Sequence, residues 1–591
     1  MKKIFFVSIL AVLLAACSKL DQQPKSTVGK EAVFQSEKGL ELYTTSFYTL
    51  LPTHTEILRG DNMSDYIARK DVPDFIRDGA YGPRQSTGWT WADLRNINYF
   101  LENNVNPAIP TEIREHYSGL ARFFRAWFYF AKVKRFGDVP WINRTFEVND
   151  PEMMKGRDSR VLVMDSVRRD LDYAIQHIRT TEDGSRSLIT KYIAYALKSR
   201  VCLFEGTFRK YHTNYNLQQT AASWLTEAET AAKAVIDQSK FSLYTGGSDS
   251  KPYRELFVSK TPVSAEVMLA NVYSDALGIY HDANWYYTSA TYGDRASFTR
   301  SFINTYLSID GTPFTSKTGY KTMAFADEVE GRDKRLEQTI RTKGYNRVNG
   351  GNILVSPPLF SYTYTGYQPT KWVLDDTFYD SGSMNNNIIP LFRFAEILLN
   401  YAEAKAELGT LSDADWNTTI GALRRRAGIT QNTATKPTLA DPYLTAEYFP
   451  GITDPVILEV RRERGIELAL EGFRFYDLVR WKSGKLIEKA WNGMYVPALN
   501  IPLDLNKDGI MDVAFYKTLP NNQVAGVNYI NVSETVGGRP NAMVLSESDK
   551  GEIKWMVTTP RVWQDKFYLY PIPENDRLMN PALGQNPGWN N

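Results

Sequence analysis

The sequence predicts a mostly α protein, a scaffold of paired helices that carries long irregular loops and minor β structure. Two observations point there. Several segments place apolar residues alternately three and four positions apart, the period of a single buried helix face, and the seams of neighbouring segments are rich in Ala, which lets helices approach closely. Between them run stretches rich in Gly, Asn, Asp, Ser and aromatic residues with no helical period. Long irregular segments on a rigid scaffold are more often functional than neutral.

The chain opens on Lys2 and Lys3, then an apolar run from Phe5 to Leu14 that is too short to span a bilayer stably. Leu14-Ala15-Ala16-Cys17 follows, with small residues before a thiol suited to carrying a lipid, so residues 1–16 read as a lipoprotein signal peptide that is removed. Cys17 is expected to bear two or three acyl chains, enough to hold a protein on a membrane nearly permanently. Residues 17–35 read as a lipidated polar tether and residues 36–591 as a single domain. Within it the first helical stripe is Ile113, Tyr117, Leu120, Phe124, Trp127 and Ala131, stopped by Gly137 and Pro140. Ala194, Leu197, Val201 and Phe204 form the second, answered after a connection from Gly206 to Gln219 by Trp224, Ala228, Ala231 and Val235. A third, from Phe392 through Ala395, Leu399, Ala402 and Ala406, closes at Gly409 and has a partner helix over 413–427. The fourth runs Leu468, Gly472, Phe475, Val479. Pairs of this size resemble tetratricopeptide repeats, although the period is irregular. Residues 52–90, 244–313, 344–387 and 490–560 read as surface excursions.

Lys plus Arg number 69 against 67 Asp plus Glu, a balance that argues against a polyanion partner such as nucleic acid. With Cys17 lipidated, Cys202 is the only thiol left and no intrachain disulfide can form. The short signatures of zinc, serine and nucleotide chemistry are missing, and the five His are scattered. Glu467 and Glu471 stand four apart, but Arg464 and Arg474 lie three residues from them, which suggests an ion-pair lattice on a helix surface rather than an acid and base pair. Arg424 to Arg426 and Arg461 with Arg462 read likewise as solvated or salt-bridged faces. One stretch suggests a structural calcium: Asp504, Asn506, Asp508, Ile510 and Asp512 offer oxygens with loop spacing around Gly509, against an Asx-turn loop with no ion. No other cofactor is expected.

Four blocks in order carry a family resemblance. They are 121–130 with Phe136-Gly137-Asp138-Val139-Pro140, 393–404, 461–481 around Glu471-Gly472-Phe473-Arg474, and Tyr570-Pro571-Ile572-Pro573 with Asn586-Pro587-Gly588. On these the chain resembles the SusD/RagB family of nutrient-capturing surface lipoproteins. The resemblance implies a noncatalytic protein of the outer membrane, exposed at the cell surface, that hands oligo- or polysaccharide to a SusC-like TonB-dependent transporter. Peptide in place of glycan, a surface glycoside hydrolase with two facing carboxylates, and a purely structural surface protein are the alternatives. Exposed rings offer flat apolar faces to sugar C–H groups while neighbouring polar side chains fix hydroxyls. The densest candidates are Tyr280, Trp285, Tyr286, Tyr287 and Tyr292 with Asn284 and Arg295, then Tyr66 and Tyr81. Trp89 and Trp91 immediately precede a helix and read as packing.

Overall fold

The computed structural model describes residues 33–246 and 251–589; the signal peptide and Cys17 lie outside the described residues. The helical scaffold begins with α1 (Glu37–Thr45), capped by Ser36, whose side chain accepts the Gly39 N–H. It continues through α2 (Ala92–Asn103), α3 (Thr111–Phe136), α4 (Arg160–His177), α5 (Lys191–Tyr211) and α6 (Ala221–Ile236), with α3 packed on α4 and α5 on α6. The α3 stripe ends as its sequence requires, at Gly137 with φ 75°, a left-handed stop that only glycine adopts cheaply. The second stripe does not end at Gly206. That glycine sits inside α5, because a Cβ there would lie 2.8 Å from Leu225 of α6 and hold the two helices apart.

After the short α7 (Ala283–Thr288) come α8 (Phe394–Leu408), α9 (Asp413–Thr418), α10 (Ile420–Arg426), α11 (Pro455–Glu467) and α12 (Arg474–Arg480). The expected 413–427 helix is broken at Thr419, whose ψ of −89° is not helical. The fourth stripe is broken too. Leu470 and Gly472 take positive φ, 63° and 80°, so a sharp turn separates α11 from α12 and Glu467 and Glu471 do not share one helix face.

The ion-pair lattice exists, but buried and with other partners. Glu467 is fully buried and meets Arg335 at 2.9 Å, Arg393 at 2.5 Å and Arg426. Glu471 meets Arg393 and Lys371, each at 2.7 Å, and Glu266 meets Arg393 at 3.1 Å and Arg426 at 2.9 Å. Burial pushes the Glu467 carboxyl up, yet Arg426, Arg393 and Arg335 outweigh it and hold it well below the usual range. Arg464 pairs instead with Asp477 at 2.9 Å and Arg474 with Asp65 at 2.7 Å, while Arg424, Arg461 and Arg462 are also buried. Of the Arg424–Arg426 run, Arg425 is the exposed member and donates to Asn417 Oδ1 at 2.7 Å; the others are salt-bridged inside the fold.

Short strands lie in and beside the excursions, among them β1 (Ile67–Ala68), β2 (Val267–Asn271), β3 (Ser297–Phe298), β4 (Ile389–Arg393), β5 (Trp491–Val496), β6 (Met543–Leu545) and β7 (Gly551–Trp555). β1 pairs with β3, β2 with β4, and β7 lies between β6 and β5, all antiparallel. A second apolar cluster, with Tyr66, Phe298, Phe302, Trp372, Met494 and Ile553, forms beneath these loops. The excursions are therefore packed bodies with a core of their own.

Candidate functional site

Two candidate stretches far apart in sequence meet on one surface. β1 and β3 pair Ile67 with Phe298 and Ala68 with Ser297, and the Lys70 N–H donates to the Asp294 carbonyl at 2.9 Å. Ion pairs flank this seam, Arg59 with Asp282 at 2.6 Å and Arg69 with Asp294. Helix α7 lies over it. Its inward residues are anchors: the Tyr287 hydroxyl donates to the Leu58 carbonyl at 2.9 Å, and the Tyr286 hydroxyl reaches Asn62 Oδ1 at 3.0 Å and Asp294 Oδ2 at 3.2 Å. Asn284 donates to the Leu374 carbonyl at 2.9 Å and accepts the Leu374 N–H at 2.8 Å.

Trp285 points the other way. Its ring stacks on Tyr292 with centroids 3.5 Å apart and planes 9° from parallel. Tyr292 is 43% exposed and Trp285 half-buried. The Tyr292 hydroxyl donates to Asp282 Oδ2 at 2.9 Å, the oxygen that Arg59 also holds. The platform is thus fixed by its polar edge and open on its apolar side. The other oxygen of Asp282 has no hydrogen-bond partner, and His54 Nε2 is 3.8 Å from it. Burial lowers the His54 pKa, against the pull of Asp282, so near neutral pH the imidazole is uncharged.

A second ring pair stands beside the same segment, but Tyr364 is buried in the second apolar cluster and the pair is packing rather than an open platform. Tyr364 and Trp555 stack at 3.8 Å and 8°, and the Trp555 indole donates to the Arg69 carbonyl at 2.6 Å. Arg295 lies over the Tyr364 ring, 5.4 Å from its centre.

Other candidates are corrected by burial. Tyr66 is fully buried, its hydroxyl donating to Asp61 at 2.6 Å and accepting the Leu470 N–H at 2.8 Å, and so it pins the turn between α11 and α12. Tyr286, Tyr287 and Asn284 are buried for the reasons above and expose no face to a ligand. Tyr81 packs against Phe75 at 5.1 Å and Tyr570 at 5.8 Å, bracing the C-terminal segment. Tyr280 is half-buried on the turn before α7 and stacks on no ring among the described residues. In the 504–512 loop, Asp504 Oδ1 accepts the N–H of Asn506, Lys507 and Asp508, its Oδ2 accepts that of Gly509 at 2.8 Å, and Asp508 Oδ1 accepts that of Ile510 at 2.8 Å. Asp512 caps the Leu505 N–H at 2.7 Å, and Asn506 donates to Asp508 at 2.9 Å. Among the described residues no three His, Cys, Asp or Glu converge to hold a metal ion. The carboxylates of Asp504 and Asp508 thus accept N–H groups of the loop's own backbone, as in an Asx turn.

Comparison with known proteins bears on the whole chain. The SusD family model matches residues 265–589, and a second model, described as starch-binding associating with outer membrane, matches residues 20–203. The chain belongs to the SusD family. A SusD-like protein of Bacteroides ovatus is 22% identical over 99% of this chain and 97% of its own, and SusD-like protein P2 of Formosa agariphila is 24% identical over 82% and 91%. A SusD-like carbohydrate binding protein from Bacteroides fragilis aligns with TM-score 0.67 at 18% identity, covering 94% of this chain and all of that one. Those structures share the mostly helical fold seen here.

In this SusD-family chain, sequence reasoning missed Tyr364 and Trp555. Both sit in stretches marked as excursions, but they lie far apart in sequence, and only the fold puts their rings together. A groove of about 830 Å³ lies elsewhere, between the start of α2 and residues 142–154, lined by Trp91, Leu94, Ile142, Phe146, Val148 and Met153. Its walls are mostly apolar and lack parallel ring pairs with polar edges, so it suits hydroxyl-rich sugars less well than the Trp285–Tyr292 platform. Trp91 lines this groove while also packing on Phe128 at 5.6 Å, so it is not confined to packing.

Proposed function

We propose that this SusD-family protein is a cell-surface lipoprotein that binds oligo- or polysaccharide on the Trp285–Tyr292 face and hands it to a TonB-dependent barrel. The observation that carries the reading is that ring pair, half-exposed and held by Asp282 and Arg59. Each exposed ring contributes about 0.5–1.5 kcal/mol beyond the area it buries, so the Trp285–Tyr292 pair supplies part of the affinity and neighbouring polar groups the rest. The relative from Bacteroides fragilis, by its name a carbohydrate binding protein, supports glycan as the ligand class. The match to a starch-binding, outer-membrane-associated family supports the location, as does the lipoprotein signal ending at Cys17. No helix among the described residues is long and apolar enough to cross a membrane.

Affinity gels with plant, host and fungal polysaccharides test the binding role. Retardation in at least one, without release of reducing ends, is the expected outcome; turnover that tracks the pure protein would move it to the hydrolases. Cys17→Ala should release the protein from the membrane fraction. Cross-linking in cells grown on the retarding glycan should join it to a large barrel, and failure to find such links would leave a free-standing adhesin.

A further inference from the structure

Three guanidiniums line the surface where 59–71 meets 282–298, and they are not equivalent. Arg59 is neutralised by Asp282 and Arg69 by Asp294. Arg295 has no carboxylate within ion-pair distance among the described residues, and its Nε makes no hydrogen bond. Its surroundings are the ring and phenol of Tyr364, stacked on Trp555.

The backbone holds Arg295 there at a cost. Its φ is 48°, a left-handed conformation that a residue with a Cβ adopts only when its surroundings impose it. Gly293, two residues earlier, lies so close to the Tyr286 carbonyl oxygen that a Cβ would come within 1.9 Å. The Ser297 hydroxyl donates to the Arg295 carbonyl at 2.7 Å, and the Lys70 N–H holds the carbonyl of Asp294. Arg295 is thus presented by a constrained corner, three residues from Tyr292. Three residues span at most about 11 Å, so the open ring pair and this guanidinium, which has Tyr364 but no carboxylate as a partner, lie within reach of one short oligosaccharide.

We propose that the glycan taken on this face is acidic, with its carboxylate or sulfate held by Arg295 while a sugar ring rests on the Trp285–Tyr292 platform. A guanidinium presents a planar fork of N–H donors that matches a carboxylate or sulfate through two parallel hydrogen bonds, and a fork without a protein carboxylate is the one free to do so. The balance of charge over the whole chain argues against a broad cationic surface, and a single guanidinium beside stacked rings does not need one. The inference rests on the glycan-binding reading above.

Calorimetric titration of the intact protein with polygalacturonate, its methyl ester, a sulfated galactan, its desulfated form and neutral starch tests it. The wild type should prefer the uronate or the sulfated polymer over its neutral counterpart by at least tenfold, and the polymer preferred identifies the acid. Arg295→Gln should erase that preference with an unchanged melting temperature, and Arg295→Lys, which keeps the charge and loses the fork, should fall between. Preference for a neutral glycan, with Arg295→Gln within twofold of wild type while Trp285→Ala still weakens binding, overturns the acidic assignment and leaves the glycan reading standing. Absence of binding to every polymer overturns both.

Discussion

The lattice around Arg393 and the surface around Trp285 use the same side chains to opposite ends. In the lattice every guanidinium and carboxylate is buried, and Arg393 alone reaches Glu266, Glu467 and Glu471. On the surface, Arg59 and Asp282 form a comparable pair whose spare edge fixes a ring that faces solvent. Burial makes the difference. A charge taken out of water must be fully compensated, so the lattice has no capacity left for a ligand, whereas Asp282, buried but held at the surface by the partly exposed Arg59, positions the Tyr292 ring and leaves it open.

The largest effect should come from breaking the lattice. Arg393→Met leaves three buried carboxylates short of a partner and should cost about 3–5 kcal/mol of stability in denaturant unfolding, while any folded fraction binds glycan normally. Trp285→Ala should do the reverse, weakening glycan binding about tenfold with stability within about 1 kcal/mol of wild type. A stability loss as large as that of the lattice variant would mean that Trp285 is a core residue and that the contrast is false.

Two smaller changes sharpen the boundary between anchors and platform. Tyr287→Phe removes the donor to the Leu58 carbonyl and should cost about 1 kcal/mol with no change in binding, since that ring is buried. Asp61, buried beneath Tyr66 and Arg474, has its carboxyl pushed by burial from 3.8 up to about 6, although hydrogen bonds from Tyr66, Arg474 and Gly472 pull it down. The folded state therefore holds this proton to higher pH than the unfolded chain does. Its contribution to stability is fully present below about 4 and is lost as pH rises through about 6. Asp61→Asn should flatten the stability profile in that window; an unchanged profile would mean that the carboxyl is not perturbed. The smallest effect is expected at the 504–512 loop, where a chelator should leave the melting temperature unchanged. A rise on adding calcium would show the loop closing around an ion.

The helical half of the fold was legible because each stripe needed only local information: period, Ala seams and a glycine stop such as Gly137 or Gly409. It failed where a tertiary contact overrode the local signal. Gly206 looks like a helix end and is a close-packing site against Leu225; Leu470 gives no local warning of its left-handed turn. At the site, the 280–295 stretch was correctly marked as aromatic and polar, but its residues alternate between the two sides of α7. Which of them faced outward depended on Leu58, Asn62 and Leu374, contacts across large sequence distances. Arg424, Arg426, Arg461 and Arg462 are salt-bridged, but inside the fold rather than on a surface, because most of their acidic partners lie on other elements, while Arg425 stays exposed.

The most direct test of the central claim is amide hydrogen–deuterium exchange of the intact protein, with and without a glycan that retards it in gels. Protection on binding should appear in 54–71 and 282–298, with a smaller effect around Tyr364 and Trp555, and none around Arg393. Protection confined to 91–95 and 142–154 would place the ligand in the apolar groove and contradict the account.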